Sequence, residues 1–289
     1  MLSAMSRIAI IGGGNLGEAL LSGLLRAGRR AEDVVVVERM APRATYLSET
    51  YAVAVAPGAE VAEAVAGASF IIVAVKPADV AEFLDQISGV RWEQTPVIVS
   101  VAAGVTVGFY ESRLGAGTPV IRAMPNAAAL VGAGVTALAR GRWVDDDQYG
   151  AVAGMLEAVG AVLTVAESQM DAVTAVSGSG PAYFLLMVEA LVDAGVAAGL
   201  TRAVASELAA HTLAGSGAML LDRMGGGRPG GSGPGLDTSP AQLRAMVTSP
   251  GGTTAAGLRE LERGGLRAAV DAAIQAAQRR SQQLSITVE

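Results

Sequence analysis

The sequence predicts a doubly wound α/β domain followed by an all-α domain. Three observations predict this arrangement: strand-like and helix-like segments alternate in the first half, a glycine-rich turn directly follows the first strand, and strand-like segments cease near Glu167. Such alternation is typical of a mostly parallel sheet with helices on both faces. The 289 residues suffice for about two domains, which we assign to residues 1–166 and 167–289.

Several strand-like segments of the first half are continuous runs of β-branched and aromatic residues, such as VVVV and FIIVAV. Runs of this kind favour strands that are buried on both faces, as in a parallel sheet covered by helices. Stretches of helix length, rich in Ala and Leu, lie between them. We expect strands at residues 7–12, 33–37, 53–55, 70–75, 96–101 and 119–122, and helices at residues 18–27, 41–51, 78–87 and 105–114.

The second half has a helical pattern that one segment interrupts. Residues 225–240 hold seven glycines and three prolines in 16 residues, a composition that cannot bury a core. We expect this segment to be a mobile surface loop. Helices are expected at residues 169–177, 181–198, 202–223 and 253–284.

Composition excludes several classes of function. The chain has no cysteine, so disulfides and thiolate chemistry are impossible. Its single histidine, His211, fits neither a His-rich metal site nor a Ser-His-Asp triad, and we expect no metal. We interpret His211, which lies among Leu and Ala, as a packing or interface residue. A net charge of −6 without blocks of like charge argues against nucleic-acid binding.

The composition predicts a homo-oligomer, and the lack of a signal or membrane-span pattern predicts a cytoplasmic location. The chain is 51% hydrophobic and only 17% charged, which suggests that another subunit covers part of its apolar surface. The first residues lead directly into a strand and not into a secretory signal. The hydrophobic runs are interrupted before the roughly 18 residues that a membrane span needs, so no membrane contact is expected.

Residues 12–17, GGGNLG, fit the pattern G-x-G-x-x-G. They follow the first strand and open a helix within a strand-helix-strand unit of about 30 residues, which is the context of a Rossmann dinucleotide site. Gly12 would permit the tight turn, Gly14 the approach of a pyrophosphate and Gly17 the packing of helix on sheet. The predicted binders of NADH or NADPH here are Ile11, Gly12, Gly13, Gly14, Asn15, Leu16 and Gly17.

The choice between NADH and NADPH depends on the end of the second strand. Glu38 stands 21 positions after Gly17, where an acidic residue accepts hydrogen bonds from a ribose 2′-OH and favours NADH. Arg39 follows at once and Arg43 lies four positions further on, and either would meet the 2′-phosphate of NADPH. The residues leave this choice open.

Two further segments, AVKP and VAAG, follow strands at the edge where a Rossmann cofactor lies. Their small residues would let the adenosine and ribose approach the backbone. Lys76 is open to three interpretations: a phosphate contact, a general acid, or a solvated lysine at a helix start. The residues expected at the cofactor in these segments are Ala74, Val75, Lys76, Pro77, Ala102, Ala103 and Gly104.

Two motifs in the helical half combine small residues with a helix start. Residues 177–183, SGSGPAY, predict a compact turn with Pro181 at the first helical position. This turn is either an ordinary capped helix start or a surface of small residues against which a flat ring could pack. Residues 248–254, TSPGGTT, place N–H donors and hydroxyls before a helix. That arrangement would receive a small carboxylate or serve only as a cap.

At these segments the chain resembles the pyrroline-5-carboxylate reductases. GGGNLG, AVKP, VAAG, VIRAMPN, AVSGSGPAY and VTSPGGTTAAGL follow in family order, and SGSGPAY together with TSPGGTT is the specific part. The resemblance implies reduction of 1-pyrroline-5-carboxylate to L-proline with NADPH or NADH. It places Arg39 at the 2′-phosphate, and it places Met124, Pro125, Asn126 and Pro181 at the nicotinamide end.

The resemblance also implies how the substrate is held. Backbone N–H groups would bind its carboxylate, and the Thr254 hydroxyl, the single expected catalytic group, would hydrogen-bond the ring nitrogen and could relay a proton. The helical half would be a dimerisation domain, with dimers gathered into a homodecamer. The segment at residues 225–240 is longer than the family pattern. The expected substrate-binding residues are Ser249, Pro250, Gly251, Gly252, Thr253 and Thr254.

Two other functions fit parts of this pattern. A 3-hydroxy-acid dehydrogenase shares the Rossmann-plus-helical plan, but it needs a lysine or similar base in the second domain, and Lys76 is the only lysine of the chain. A non-catalytic dinucleotide sensor would bind the cofactor without turnover. The intact TSPGGTT motif argues against that second alternative.

Overall fold

The computed structural model describes residues 7–224 and 240–285. The chain divides into two compact units, one formed by Met1–Pro181 with Ile274–Glu289 and the other by Ala182–Ala273. The first unit therefore continues past residue 166, where the sequence changes from α/β to all-α, and takes in the end of the last helix. The mobile loop predicted at residues 225–240 lies, except for Pro240, outside the described residues.

The first unit is built on an eight-stranded sheet of order β3-β2-β1-β4-β5-β6-β7-β8. All neighbouring strands are parallel except β6 and β7, which are antiparallel. The strands are β1 (Ile8–Ile11), β2 (Val34–Val37), β3 (Ala54–Ala56), β4 (Phe70–Val73), β5 (Val97–Ser100), β6 (Val120–Pro125), β7 (Gly134–Arg140) and β8 (Gly160–Thr164).

The helices of the first unit cover both faces of this sheet. Along β1, Ile8 and Ile10 pack with α1, α2 and α6, whereas Ala9 and Ile11 pack with α3, α4 and α5. Because both faces of the strands are buried, their sequences are continuous apolar runs. The helices are α1 (Asn15–Arg26), α2 (Ala41–Tyr51), α3 (Val61–Val65), α4 (Val80–Ile87), α5 (Val107–Arg113), α6 (Asp146–Leu156) and α7 (Met170–Val173).

The doubly wound fold and its first six strands are confirmed, but the sequence analysis missed the last two strands. β7 contains the run TALA, with two alanines and one leucine, a composition that does not favour a strand. β8 lies at the sheet edge, and its residues are half-buried or exposed, so it lacks a continuous apolar run. β6 also extends to Pro125, which places Met124 and Pro125 on the strand itself.

The remaining helices are α8 (Gly180–Ala197), α9 (Arg202–Arg223), α10 (Pro240–Met246), α11 (Thr253–Arg263) and α12 (Leu266–Leu284). The prediction of a single helix at residues 253–284 is wrong. The chain forms two helices there, separated at Gly264 and Gly265, because Gly265 has a φ of +77°, a conformation that ends an α-helix.

The segment SGSGPAY differs from the turn that the sequence predicts. Thr174–Gly178 forms a π-helical turn between α7 and α8, and the Ser179 N–H donates to the Thr174 carbonyl five residues earlier, at 2.9 Å. Pro181 is the second residue of α8 and therefore lies in the first turn of that helix, directly after the π-helical turn. Single π-turns inside α-helices occur frequently at functional sites.

One helix among the described residues, Glu167–Ala197, is long and apolar enough by length and composition to cross a membrane. This finding corrects the expectation that every hydrophobic run is interrupted too early. Only 17% of its apolar window is buried in the single chain, and Phe184, Leu185 and Leu186 are each at least 60% exposed. An exposed apolar face of this size calls for a covering surface.

Candidate active site

The glycine-rich turn joins β1 to α1 at the carboxyl edge of the sheet. Gly12 has a φ of +102°, and a Cβ there would lie 2.7 Å from the carbonyl oxygen of Ala74. A Cβ at Gly17 would overlap the Gly12 carbonyl oxygen. The fold itself therefore requires glycine at both positions, because the helix and the neighbouring strand approach the turn too closely for any side chain.

Gly14 is in a different situation from its neighbours. It is the N-cap of α1 with a φ of −64°, which any residue can adopt, and a Cβ there would meet nothing within 4 Å. No side chain caps this helix, so its first N–H groups remain free to bind an anion. Gly14 and Asn15 are exposed, whereas Ile11, Gly13 and Gly17 are buried.

Glu38 lies immediately after β2, and both of its oxygens accept backbone hydrogen bonds. Oε2 accepts from the Gly13 N–H at 3.0 Å, and Oε1 accepts from the Met40 N–H at 2.8 Å. The carboxylate thus supports the glycine-rich turn directly, a role that the sequence analysis did not foresee. Spacing along the chain shows that Glu38 reaches this edge, but not which groups it binds there.

The two arginines proposed for a 2′-phosphate have different surroundings. Arg43 donates from Nε to the Gly13 carbonyl at 2.6 Å and forms an ion pair with Glu18. Arg39 has a side chain that is 67% exposed, with one ion pair of 3.3 Å to Asp79. Arg39 can therefore turn toward a ligand at little cost, since exposed ion pairs contribute little, whereas Arg43 is held in place.

Glu18, in the first turn of α1, is the centre of this arrangement. Its carboxylate accepts hydrogen bonds from Arg43 and from the hydroxyls of Tyr46 and Tyr51, at 3.0 and 2.8 Å for the two tyrosines. Burial raises the pKa of the Glu18 carboxyl, but these hydrogen bonds outweigh it and hold the pKa below its ordinary value. The carboxylate is therefore charged at neutral pH, and its stabilising effect is lost only as the pH falls through that lowered pKa.

The ends of β4 and β5 complete the edge beside the turn. The Ala74 N–H donates to the Ile11 carbonyl at 2.8 Å, and the Val101 N–H donates to the Val73 carbonyl at 3.0 Å. AVKP therefore begins next to the glycine-rich turn, and VAAG begins next to the end of β4. Lys76 and Ala103 are exposed there, Val75 and Pro77 are half-buried, and Ala102 and Gly104 are buried.

Gly104 also contacts the end of the last helix. It has a φ of +79°, and a Cβ there would lie 2.9 Å from the carbonyl oxygen of Leu284 in α12. A hydrogen bond of 2.7 Å from the Ser281 hydroxyl to Asp171 fixes the same helix end. The chain end therefore supports the loop after β5, which sequence spacing alone could not indicate.

The end of β6 meets the π-helical turn. A Cβ at Gly178 would lie 2.7 Å from the Met124 methyl group, so the side chain of Met124 packs directly against this glycine. Asn126 accepts a hydrogen bond at Oδ1 from the Val135 N–H at 3.3 Å. Pro125 is buried and Pro181 half-buried. The structure thus brings Met124 of VIRAMPN and Gly178 of SGSGPAY together within the first unit.

A buried polar group beneath this edge was missed from the sequence. Arg122 is 3% exposed and donates from Nη1 to Glu167 Oε1 at 2.9 Å, and the same oxygen accepts from the Val107 N–H at 3.1 Å. Ser100 and Tyr110 hydrogen-bond at 2.8 Å, and burial raises the pKa of the tyrosine. The signal was an arginine inside the apolar run VIRAMP.

The expected substrate loop lies in the second unit, ahead of α11. Gly251 has a φ of +70°, and Gly252 is the N-cap of α11, where no side chain accepts from the first N–H groups. Gly252 is half-buried, and the other five expected substrate residues, Ser249, Pro250, Gly251, Thr253 and Thr254, are exposed. The helix start therefore offers free N–H donors and two hydroxyls to a small anion.

Titratable clusters suited to a metal are absent from the part of the chain that the structure describes. His211 lies exposed on α9 beside Leu208 and Thr212, where a shallow cleft of about 390 Å³ opens. It does not pack inside the single chain, so the packing interpretation is wrong, and the interface interpretation stays a prediction.

Two family models match the sequence. The one described as pyrroline-5-carboxylate reductase dimerisation matches residues 167–284. The one described as NADP oxidoreductase, coenzyme F420-dependent, matches residues 7–104. The second match spans the glycine-rich turn and the ends of β4 and β5, and the first begins after the last strand.

Full-length relatives and solved structures agree with these matches. Pyrroline-5-carboxylate reductase of Mycobacterium leprae is 64% identical over 297 residues, covering 100% of both chains, and that of Mycobacterium tuberculosis is 61% identical with the same coverage. The structure of a pyrroline-5-carboxylate reductase from Coxiella burnetii has a TM-score of 0.87 at 33% identity, covering 98% of this chain and 100% of that one. The Plasmodium falciparum enzyme with NADP bound has a TM-score of 0.82 at 26% identity, covering 97% and 98%.

Proposed function

The chain belongs to the pyrroline-5-carboxylate reductase family, and on this premise we propose which of its residues bind the cofactor and which bind the substrate. The reaction is the NAD(P)H-dependent reduction of 1-pyrroline-5-carboxylate to L-proline. The reduced nicotinamide supplies the hydride to the imine carbon. What the chain itself must do is bind both molecules, orient them and exclude water.

The cofactor lies, in this proposal, along the carboxyl edge of the first unit. The observation that carries it is Gly14, which faces open space at the start of α1 although the fold does not need glycine there. A pyrophosphate placed there would accept hydrogen bonds from the first N–H groups of α1. The proposed cofactor contacts are those expected from the sequence, at residues 11–17, 38–39, 74–77, 102–104 and 124–126 and at Pro181.

The substrate carboxylate is bound, in this proposal, at the start of α11. Residues 249–254 offer uncapped N–H groups and the positive end of an 11-residue helix, which suits a small anion. In this proposal the hydroxyl of Thr254, in the first turn of α11, hydrogen-bonds the ring nitrogen. Thr254 thereby orients the imine, and its hydroxyl would pass a proton from water to the product nitrogen after hydride transfer.

The absence of His, Cys or paired carboxylates from these residues fits the chemistry. A protonated imine is already electrophilic, so the protein need not supply a strong acid. Family membership argues against both alternatives. A hydroxy-acid dehydrogenase needs a lysine or similar base in the second domain, and the only lysine, Lys76, lies in the first. A non-catalytic sensor would not need the substrate loop.

A second copy of the chain covers the exposed apolar face of α8 in our proposal. The dimerisation match at residues 167–284 includes Phe184, Leu185 and Leu186, and this accounts for a helix of membrane-spanning length without any membrane. Assembly of such dimers into a homodecamer is the further step that we propose. A cytoplasmic location fits a chain without cysteine.

We further propose that Arg39 binds the 2′-phosphate of NADPH. Replacing Arg39 by methionine is expected to lower kcat/KM for NADPH by roughly 10- to 100-fold, the loss of a charge-assisted hydrogen bond, and to leave NADH unchanged. Steady-state kinetics with each cofactor measure this. Arg30→Met, which removes another exposed arginine at the amino end of β2 and not at the carboxyl edge, should change neither value. Equal losses with both cofactors would contradict this assignment.

A further inference from the structure

We propose that Arg43 is a positioning residue for the cofactor: it fixes the peptide between Gly13 and Gly14 so that the turn binds either dinucleotide. This inference rests on the proposed cofactor site. It assigns to Arg43 a role distinct from the phosphate contact that the sequence left open, because the side chain is directed at the turn itself.

Both backbone polar groups of Gly13 are held by side chains from the connection that follows β2. Its N–H donates to Glu38 Oε2 at 3.0 Å, and its carbonyl accepts from Arg43 Nε at 2.6 Å. A Cβ at Gly13 would overlap the buried side chain of Leu47, so glycine fits this space without displacing it, and glycine does not restrict its own backbone. The two side chains supply the restriction that glycine lacks.

The direction of this carbonyl determines the direction of the next N–H. In a trans peptide the carbonyl and the following N–H point to opposite sides, and no cis peptide occurs among the described residues. With the Gly13 carbonyl held by Arg43, on α2, the Gly14 N–H points away from that helix. Arg43 therefore presets the turn for a bound anion before the cofactor arrives.

Arg43 is itself held from two further directions. Its Nη2 pairs with the Glu18 carboxylate, and its guanidinium lies 5.0 Å from the centre of the Tyr46 ring. Glu18 is fixed in turn by the hydroxyls of Tyr46 and Tyr51. The Arg43 side chain is 28% exposed, against 67% for Arg39. Reaching a 2′-phosphate would require Arg43 to give up the Gly13 carbonyl and Glu18 together.

The test is the affinity of Arg43→Met for NADH and for NADPH, measured by fluorescence titration without the imine. Methionine retains the length of the stem but cannot donate. We expect Kd to rise by the same factor, roughly ten-fold, for both cofactors, while kcat at saturating cofactor stays close to wild type. Arg39→Met is the matched control, because it should weaken NADPH alone.

Two results would overturn the proposal. A loss confined to NADPH would make Arg43 a phosphate ligand, and unchanged affinity for both cofactors would show that the turn does not depend on it. If Arg43→Met does not fold, Tyr51→Phe serves instead, since it loosens Glu18 but keeps the guanidinium; a smaller, equal loss for both cofactors is then expected. The titration measures cofactor binding without the imine, so its result does not depend on the reaction. If the wild-type chain binds the cofactor but does not reduce the imine, the proposed function is refuted, whereas the role of Arg43 is still tested by the titration.

Discussion

Replacing Gly14 by leucine is expected to abolish measurable dinucleotide binding while leaving the protein folded. A Cβ at Gly14 meets nothing within 4 Å, and the φ of −64° suits any residue, so the folded chain accommodates the side chain. In the proposed complex the pyrophosphate occupies that space, and leucine would exclude it. We expect Kd for NADPH and NADH to rise by at least about 100-fold, as befits a position where backbone and pyrophosphate must touch.

Gly17→Leu is the informative comparison for this variant. A side chain at Gly17 would overlap the Gly12 carbonyl, so that variant should lose stability as well as binding. Gly14→Leu should instead keep the far-UV circular dichroism and the Tm of the wild type. Retained cofactor affinity in a folded Gly14→Leu protein would refute the placement of the pyrophosphate.

Replacing Thr254 by alanine is expected to lower kcat/KM for the imine on the order of 100-fold, the usual loss for one oriented donor in an active site. Cofactor affinity should stay nearly unchanged, because Thr254 belongs to the substrate loop and not to the sheet edge. The residue is exposed in the first turn of α11, so the fold does not depend on it.

Thr254→Ser is the matched control, since it keeps the hydroxyl and removes only the methyl group. Serine should restore most of the activity that alanine loses. Kinetics of Thr254→Ala equal to wild type would remove Thr254 from the mechanism. An equal loss in both variants would show that the methyl group, and not the hydroxyl, is what matters at this position.

The sheet could be predicted from the sequence because its strands carry an unambiguous pattern. Val34–Val37 and Phe70–Val73 are buried along their whole length, which only a sheet covered on both faces explains. The glycine-rich turn was equally predictable, since Gly12 and Gly17 are fixed by local close approach.

What could not be predicted depends on contacts between distant segments or on weak local signals. β8 is an exposed edge strand, and β7 owes its conformation to antiparallel pairing with β6. The π-turn at Thr174–Gly178 lies against the Met124 side chain, which is distant in sequence. These features follow from tertiary packing, which overrides local preference.

The candidate site also has a part that the sequence predicts and a part that only the structure shows. Motif order located its segments, but the partners of individual side chains came only from the structure. Glu38 stays a predicted ribose contact, and the structure adds that its carboxylate accepts from the Gly13 and Met40 N–H groups. Arg43, which the sequence left open as a phosphate contact, donates to the Gly13 carbonyl.

The most direct test of the central claim is the oxidation of NADPH and NADH by the wild-type chain with 1-pyrroline-5-carboxylate, followed by absorbance with proline quantified at the end. We expect rapid oxidation with one proline formed for each cofactor oxidised, and a higher kcat/KM for NADPH, which Arg39 favours. Tight cofactor binding without oxidation of either cofactor would contradict the reductase assignment and support a dinucleotide sensor instead.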